Sequence, residues 1–202
     1  MKRKKRAEKK SFNLLKEYKK SWEYIKESKK FIYLIVGIFL LFFLIGFFIP
    51  TPQFFYDEII KFIRELLTKT QDMSQLDLIG FIIYNNVQST FFAIIFGVFF
   101  GIFPLINAVA NGYVLGFVSS ISVNNGGLSR LLELLPHGIF ELPAVFISLG
   151  LGLKTGMFIF KEEKIKTLKN YFGNSLRVFL LIVIPLLIIA GIIEGILIFL
   201  LK

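Results

Sequence analysis

Residues 31–49 read FIYLIVGIFLLFFLIGFFI, a run of 19 residues without a charged side chain. A helix needs about 20 consecutive apolar residues to cross the hydrocarbon core of a bilayer. The run is too long for the core of a signal peptide, and no small-residue cleavage site is evident, so we expect a retained signal anchor. Pro50 and Pro52 are expected to end this span.

The rest of the chain also has the composition of a membrane protein. Of its 202 residues 55% are hydrophobic, and the mean hydropathy is +0.69, more than a soluble domain of this length can bury. Further apolar runs predict four more spans. The second ends near Phe103, the third covers 106–121, the fourth ends near Phe160 and the fifth covers 178–201. The sequence therefore predicts an all-α, polytopic transmembrane bundle of about five spans. Cysteine is absent, which excludes disulfides and thiolate metal sites.

The positive charge of the chain is concentrated at its N-terminus, where residues 1–30 hold 13 of the 24 Lys and Arg. No nucleic-acid motif accompanies them, so we interpret them as an orientation signal, either as a solvated tail or in contact with anionic lipid. With five spans, residues 1–30 and 161–177 share one side and hold 18 basic residues, whereas 51–84 and 122–135 hold 4. This asymmetry supports the count of five spans and predicts a cytoplasmic N-terminus. We expect the protein in the plasma membrane.

Four segments follow from this layout. Residues 1–30 have apolar side chains at helical spacing, which predicts an amphipathic helix on the inner membrane surface, and residues 31–49 are the anchor. Residues 50–84 form an extracytoplasmic segment, and 85–202 a four-span core. Within 50–84 one apolar stripe predicts an amphipathic helix that lies on the outer membrane surface or on the other spans. The stripe comprises Phe55, Ile59, Phe62, Ile63, Leu66 and Leu67.

Local signals predict the breaks between helices. Ser74 and Asp77 match a capping box, which predicts the start of a long helix. Pro104 predicts a tight turn, and the polar residues 122–130 and the basic residues 161–177 predict loops. Pro136, Gly138 and Pro143 predict that the fourth span begins as a broken helix with a polar mouth.

Each of the last four spans carries two glycines four residues apart. Such pairs let helix backbones approach closely. They predict a compact bundle, or a dimer interface, that largely excludes the first span. The pairs are Gly97 with Gly101, Gly112 with Gly116, Gly152 with Gly156, and Gly191 with Gly195.

His137, Glu141 and Glu194 are the candidates for chemistry, because charged groups in a membrane are costly. His137 and Glu141 are four residues apart and would face one side of a helix, and the predicted topology puts Glu194 at a similar depth. Together the three can hold a divalent metal such as zinc, relay protons or bind a cation; equally, they can form a polar cluster that secures the broken helix. Three asparagines can donate hydrogen bonds to this polar site, or can equally form hydrogen bonds between helices. They are Asn85, Asn86 and Asn111.

Catalytic motifs are absent. His137 and Glu141 superficially resemble the His-Glu-x-x-His motif of zinc proteases, but the glutamate stands where a second histidine is required. The sequence has no Gly-x-Ser-x-Gly and no Walker-type phosphate loop. We therefore expect no enzymatic activity.

The run Pro136-His137-Gly138-Ile139-Phe140-Glu141-Leu142-Pro143-Ala144 resembles the stage II sporulation protein M family. The resemblance covers roughly residues 80–160 and includes Asn111-Gly112 with Gly116, and the Asn86 region with Gly97 and Gly101. In spore formers the namesake is a polytopic scaffold that gathers cell-wall hydrolases, so the resemblance implies a membrane scaffold or accessory subunit. Such a protein would form homo-oligomers or bind other membrane proteins.

A second hypothesis belongs to a different class. A small transporter or channel would pass ions, protons or metal ions along His137, Glu141 and Glu194. The scaffold hypothesis treats the same residues as an architectural core or a ligand site.

Overall fold

The structure is a computed structural model. It describes residues 13–127 and 130–200, apart from the side chains of residues 130–137, 139 and 140. In this part of the chain all regular structure is helical: α1 (Leu14–Phe48), α2 (Gln53–Thr70), α3 (Gln75–Phe96), α4 (Ile102–Gly126), α5 (Arg130–Gly156), α6 (Lys164–Val178) and α7 (Ile184–Leu200). Five stretches are long and apolar enough to cross a membrane, namely Leu14–Phe48, Gln75–Phe96, Ile102–Gly126, Glu141–Phe160 and Lys164–Leu200. The predicted all-α bundle with five spans is confirmed.

Helix α1 continues without a break from the basic segment into the first span. It has 35 residues, about 52 Å at ~1.5 Å per residue, which exceeds the ~30 Å hydrocarbon core. The Asn13 side chain caps it by accepting a hydrogen bond from the Lys16 N–H at 3.1 Å. No proline lies within α1 to stop the helix. Residues 14–30 are helical as predicted, but they continue into the first span instead of ending at the membrane surface. Residues 1–12 of the basic segment lie outside the described residues.

Helix α2 is the predicted amphipathic helix, and the predicted capping box begins α3. The Ser74 hydroxyl accepts a hydrogen bond from the Asp77 N–H at 3.3 Å and donates one to the Asp77 carboxylate at 2.6 Å. The capping box thereby gives the Asp77 N–H, in the first turn of α3, an acceptor that the helix itself does not supply.

The turn between α3 and α4 precedes Pro104, so its predicted position is wrong. Helix α3 ends at Phe96, and Gly101 has a φ of +70°, a conformation that residues with a Cβ rarely adopt. Pro104 lies in the first turn of α4, where its missing N–H costs no helical hydrogen bond. Helix α4 then extends to Gly126, which shortens the loop predicted over 122–130.

Helix α5 has 27 residues. It passes through Pro136, Gly138 and Pro143 without interruption, so the predicted broken helix is wrong. Membrane helices tolerate proline because neighbouring groups and small backbone adjustments satisfy the freed carbonyl.

The predicted loop over 161–177 is mostly helix α6. It joins α7 through a π-helical turn, Phe179–Val183. Pro185 follows this turn, and its missing N–H removes one helical hydrogen bond. A π turn at that point lets the chain continue as one long helical stretch.

Glycines bring the spans into backbone contact. A methyl group added at Gly112 or Gly116 would collide with the backbone of α1 at Phe39 or Phe43, so the expectation that the first span is largely excluded is wrong. The other predicted pairs lie at two further helix contacts. Gly97, Gly101, Gly152 and Gly156 lie where α5 meets α3 and its turn, and Gly191 and Gly195 lie against Ile83 and Ile79 of α3.

These contacts sort the helix ends into two groups. Gly156 packs against Gly101, and Gly150 against Ile32, so the 97–101 turn, the end of α5, residues 14–30 and α6 share what we call the basic end. At the opposite end, Gly195 packs against Ile79. The Tyr56 and Phe117 rings are 5.5 Å apart there, which places α2 beside the C-terminal half of α4.

Candidate functional site

The predicted polar site lies towards the opposite end of the bundle. Positions 137 and 141 lie one turn apart in the unbroken helix α5, but the His137 side chain lies outside the described residues. Glu141 and Glu194 are both half-buried, and each interacts with another group of the protein. Among the described side chains, no three His, Cys, Asp or Glu converge as metal ligands would.

The helix contacts place Glu141 and Glu194 at a similar depth. Gly152 of α5 packs against Ala93 of the parallel helix α3. Moving 11 residues back along both helices, about 16 Å, reaches Glu141 in α5 and Ile82 in α3. Glu194 lies between Gly191, which packs on Ile83, and Gly195, which packs on Ile79. Helices α5 and α7 are in contact, so both glutamates are on neighbouring helices at one level.

The predicted supporting asparagines have different surroundings. Asn111 is exposed, and its amide donates to the Asn107 carbonyl and side chain, both at 2.9 Å, within α4. Asn85 is exposed and Asn86 half-buried on α3, where the Asn86 carbonyl accepts a hydrogen bond from the Thr90 hydroxyl at 2.6 Å. The described contacts of Asn111 are therefore within its own helix.

A buried polar cluster at the basic end is built round Lys154 of α5. The Lys154 side chain is 8% exposed, and its ammonium donates a hydrogen bond to the Ser28 hydroxyl at 2.9 Å. The ammonium lies 3.7 Å from the centre of the Tyr24 ring and 5.2 Å from that of Tyr171. The largely exposed Glu27 carboxylate is 3.9 Å away. We call these five residues the Lys154 cluster.

The Lys154 cluster is an electrostatic contact between three helices. A cation that leaves water must be compensated by hydrogen bonds or by the negative faces of aromatic rings. Here Ser28 and Tyr24 supply that compensation from α1, and Tyr171 from α6. The ammonium thereby joins residues 14–30 of α1 to the transmembrane bundle.

Further polar contacts fasten α1 and α5 to α6. Arg177 and Glu17 form an ion pair with a nitrogen–oxygen distance of 2.7 Å. The Tyr24 hydroxyl donates to the Tyr171 carbonyl at 3.3 Å, and the buried hydroxyls of Thr155 and Ser175 are 3.4 Å apart. Residues 14–30 are thus held against α6.

Ser28 and Lys154 are the residue types of a serine–lysine hydrolase, but their geometry suits a structural contact. The Ser28 side chain is fully buried and donates its proton to the Tyr24 carbonyl at 2.6 Å, while its oxygen accepts from Lys154. A nucleophile has to present its oxygen to a substrate. We therefore assign this pair to helix packing.

Lys154 was not among the predicted site residues, although its position in the sequence marks it as a candidate. A lone lysine within a predicted span, between Leu153 and Thr155, is a functional candidate by the criterion applied to the glutamates. Its partner Ser28 is 126 residues away in a segment predicted to lie on the membrane surface. No local pattern connects the two.

Comparisons with known proteins connect the chain to a protein family. The family model described as stage II sporulation protein M matches residues 35–197. The match includes all predicted site residues and Lys154, but begins after Tyr24 and Ser28. An uncharacterised protein of Methanocaldococcus jannaschii is 35% identical over 113 residues, which cover 51% of this chain and 64% of that protein. No solved structure matches the chain.

Proposed function

Because the chain belongs to the stage II sporulation protein M family, we propose that it is a scaffold or accessory subunit of a membrane complex. Its partners are other membrane proteins or further copies of itself, and it acts without catalysing a reaction. It lies in the plasma membrane with the basic end in the cytoplasm, as the distribution of Lys and Arg favours.

The observation that carries this proposal is an exposed aromatic strip at the basic end. Leu14, Tyr18 and Trp22 follow one another at four-residue spacing on α1, which places them on one side of the helix. Their exposed fractions are 57%, 44% and 43%, and the neighbouring Leu15 is 81% exposed. We call these four residues the aromatic strip. Tryptophan and tyrosine often dominate the binding energy of protein interfaces.

The aromatic strip stands on a helix that is already fixed in place. Residues 14–30 extend ~25 Å at ~1.5 Å per residue, and the Lys154 cluster and the Arg177–Glu17 ion pair hold them against the bundle. A surface that is ordered before binding loses less conformational entropy when a partner docks. This is the property expected of a scaffold.

The charges beside the aromatic strip indicate the chemistry of the partner. The exposed charged side chains of residues 14–30 carry a net positive charge, because five are lysines and two are glutamates. They are Lys16, Lys19, Lys26, Lys29 and Lys30, with Glu23 and Glu27. Complementary charges steer association and suppress wrong partners. We therefore propose a partner surface with an apolar pocket and an acidic rim.

Site-specific photo-crosslinking in native membranes tests the proposal. A photoreactive amino acid at position 22 is expected to give a protein adduct of defined mass. The same amino acid at position 41, where Leu41 is 54% exposed in the middle of the first apolar run, is the control and should label lipid. The combined change Tyr18→Ala and Trp22→Ala should lower partner recovery about tenfold or more, as for interface aromatics worth at least ~1.4 kcal/mol. Absence of a protein adduct at position 22, together with a strictly monomeric purified protein, would overturn the proposal.

A further inference from the structure

Helix α2 lies outside the core of the bundle. None of its residues, all of which are described, is buried. Two aromatic contacts attach it to neighbouring helices: the Tyr56 ring against Phe117, and the Lys69 ammonium 4.8 Å from the centre of the Phe81 ring. Its position is therefore not explained by burial in the protein.

The connections of α2 keep it at the opposite end of the bundle. Residues 49–52 join it to the end of α1, and residues 71–74 join it to the start of α3. Its 18 residues correspond to about 27 Å of helix, and it is not among the stretches apolar enough to span. Helix α2 therefore has to lie at the membrane boundary that these two spans reach.

One edge of α2 is apolar and exposed. Phe55, Phe62 and Leu66 are 56%, 54% and 36% exposed, and their spacing of seven and four residues places them along one line of the helix. Ile59 and Ile63 beside them are half-buried. Polar side chains occupy the other side of the helix and include Asp57, Lys61, Arg64, Glu65 and Thr68. We call Phe55, Phe62 and Leu66 the apolar edge.

Charge and continuity identify what covers the apolar edge. Helix α2 has three acidic and three basic residues, so net charge attracts neither an acidic nor a basic partner. Immediately before it, Phe48 and Ile49 at the end of the first apolar run are 72% and 57% exposed. Exposed apolar side chains within the uncharged run of a membrane span are normally in contact with lipid. The apolar edge extends that lipid-facing surface.

We propose that α2 lies in the membrane–water interface at the opposite end, with the apolar edge inserted among lipid acyl chains and the polar side in water. Amphipathic helices bind membranes in this way, with the apolar face about 5–10 Å below the headgroups. The occupant of this surface is lipid, and a protein partner is the competing outcome of the test.

Tryptophan fluorescence of the full chain in phosphatidylcholine vesicles tests the inference. The chain has one tryptophan, so Trp22→Phe provides a silent background. In that background Phe62→Trp reports on the apolar edge, and Thr68→Trp on the exposed polar side is the matched control. We expect brominated phosphatidylcholine to quench Phe62→Trp strongly and Thr68→Trp weakly, and aqueous iodide to show the reverse order.

Two outcomes would overturn the inference. Equal quenching of both variants by iodide, without quenching by brominated lipid, would place the apolar edge in water. Protection of Phe62→Trp from both quenchers would show that protein covers it, as in a contact between two copies.

Discussion

Ser28 and Ser21 are both buried serines of α1, and they differ in one contact. Each hydroxyl donates to a carbonyl one turn earlier, but only Ser28 also accepts a hydrogen bond from the Lys154 ammonium. We predict that Ser28→Ala lowers the free energy of unfolding by about 1–3 kcal/mol, because a buried cation loses its acceptor. Ser21→Ala, the matched control, should have a smaller effect. Denaturation of the detergent-solubilised variants measures both.

The second half of this test removes the cation itself. If the cost of Ser28→Ala arises from the stranded ammonium, adding Lys154→Met should restore part of the lost stability, since methionine keeps the length of the side chain without its charge. Equal losses in Ser28→Ala and Ser21→Ala, or an additive loss in the double variant, would contradict the assigned role of Ser28.

Glu141 and Glu194 allow a test of their predicted proximity. Residues in contact or in one hydrogen-bond network give non-additive effects, typically with a coupling of 0.5 kcal/mol or more, whereas distant sites add. We predict such a coupling between Glu141→Gln and Glu194→Gln in unfolding measurements. The pair Glu141→Gln and Glu162→Gln, with Glu162 exposed beyond the end of α5, is the control and should be additive. Additivity in both pairs would place the two glutamates in separate environments.

Metal analysis distinguishes a metal site from a packing role for these glutamates and His137. If they form a polar cluster that supports packing, the purified protein and its His137→Ala variant should contain the same low amount of zinc. Stoichiometric zinc that is lost in the variant would instead identify a metal site, because an imidazole ligand contributes directly to zinc affinity.

At the scale of the helices, features that depend on residues close together in the sequence could be predicted, and contacts between residues far apart in the sequence could not. Span number and the capping box at Ser74 and Asp77 are local properties, and both were predicted. Pro136 and Pro143 were wrongly interpreted as breaks, because the cost of proline in water is not its cost inside a packed membrane bundle. The partners of Lys154 could not be predicted, since Ser28 meets it only where the helices of the first and fourth spans, far apart in the sequence, pack together.

The contact between α3 and α5 depends on glycine and gives a sharp prediction. A methyl group at Gly152 would collide with the Ala93 carbonyl of α3, whereas one at Gly80 of α3 meets no atom within 4 Å. We predict that Gly152→Ala destabilises the protein by about 1–3 kcal/mol, because the helix backbones have to separate. Gly80→Ala should stabilise it by about 0.4–1 kcal/mol, since alanine favours the helix. Thermal unfolding with equal losses in both variants would contradict the close contact.

The whole molecule presents two chemically different ends, and this difference should set its orientation. Residues 14–30 and α6 place their lysines at the basic end, while α2, with balanced charge, occupies the other. Positively charged segments next to a span are retained in the cytoplasm.

Because the chain contains no cysteine, single introduced cysteines can report on which side of the membrane each end lies. We predict that a membrane-impermeant maleimide labels Gln71→Cys in intact cells but labels Glu162→Cys only after permeabilisation. The reverse pattern would invert the topology and place the aromatic strip outside the cell. Labelling of both in intact cells would contradict an odd number of spans between residues 71 and 162.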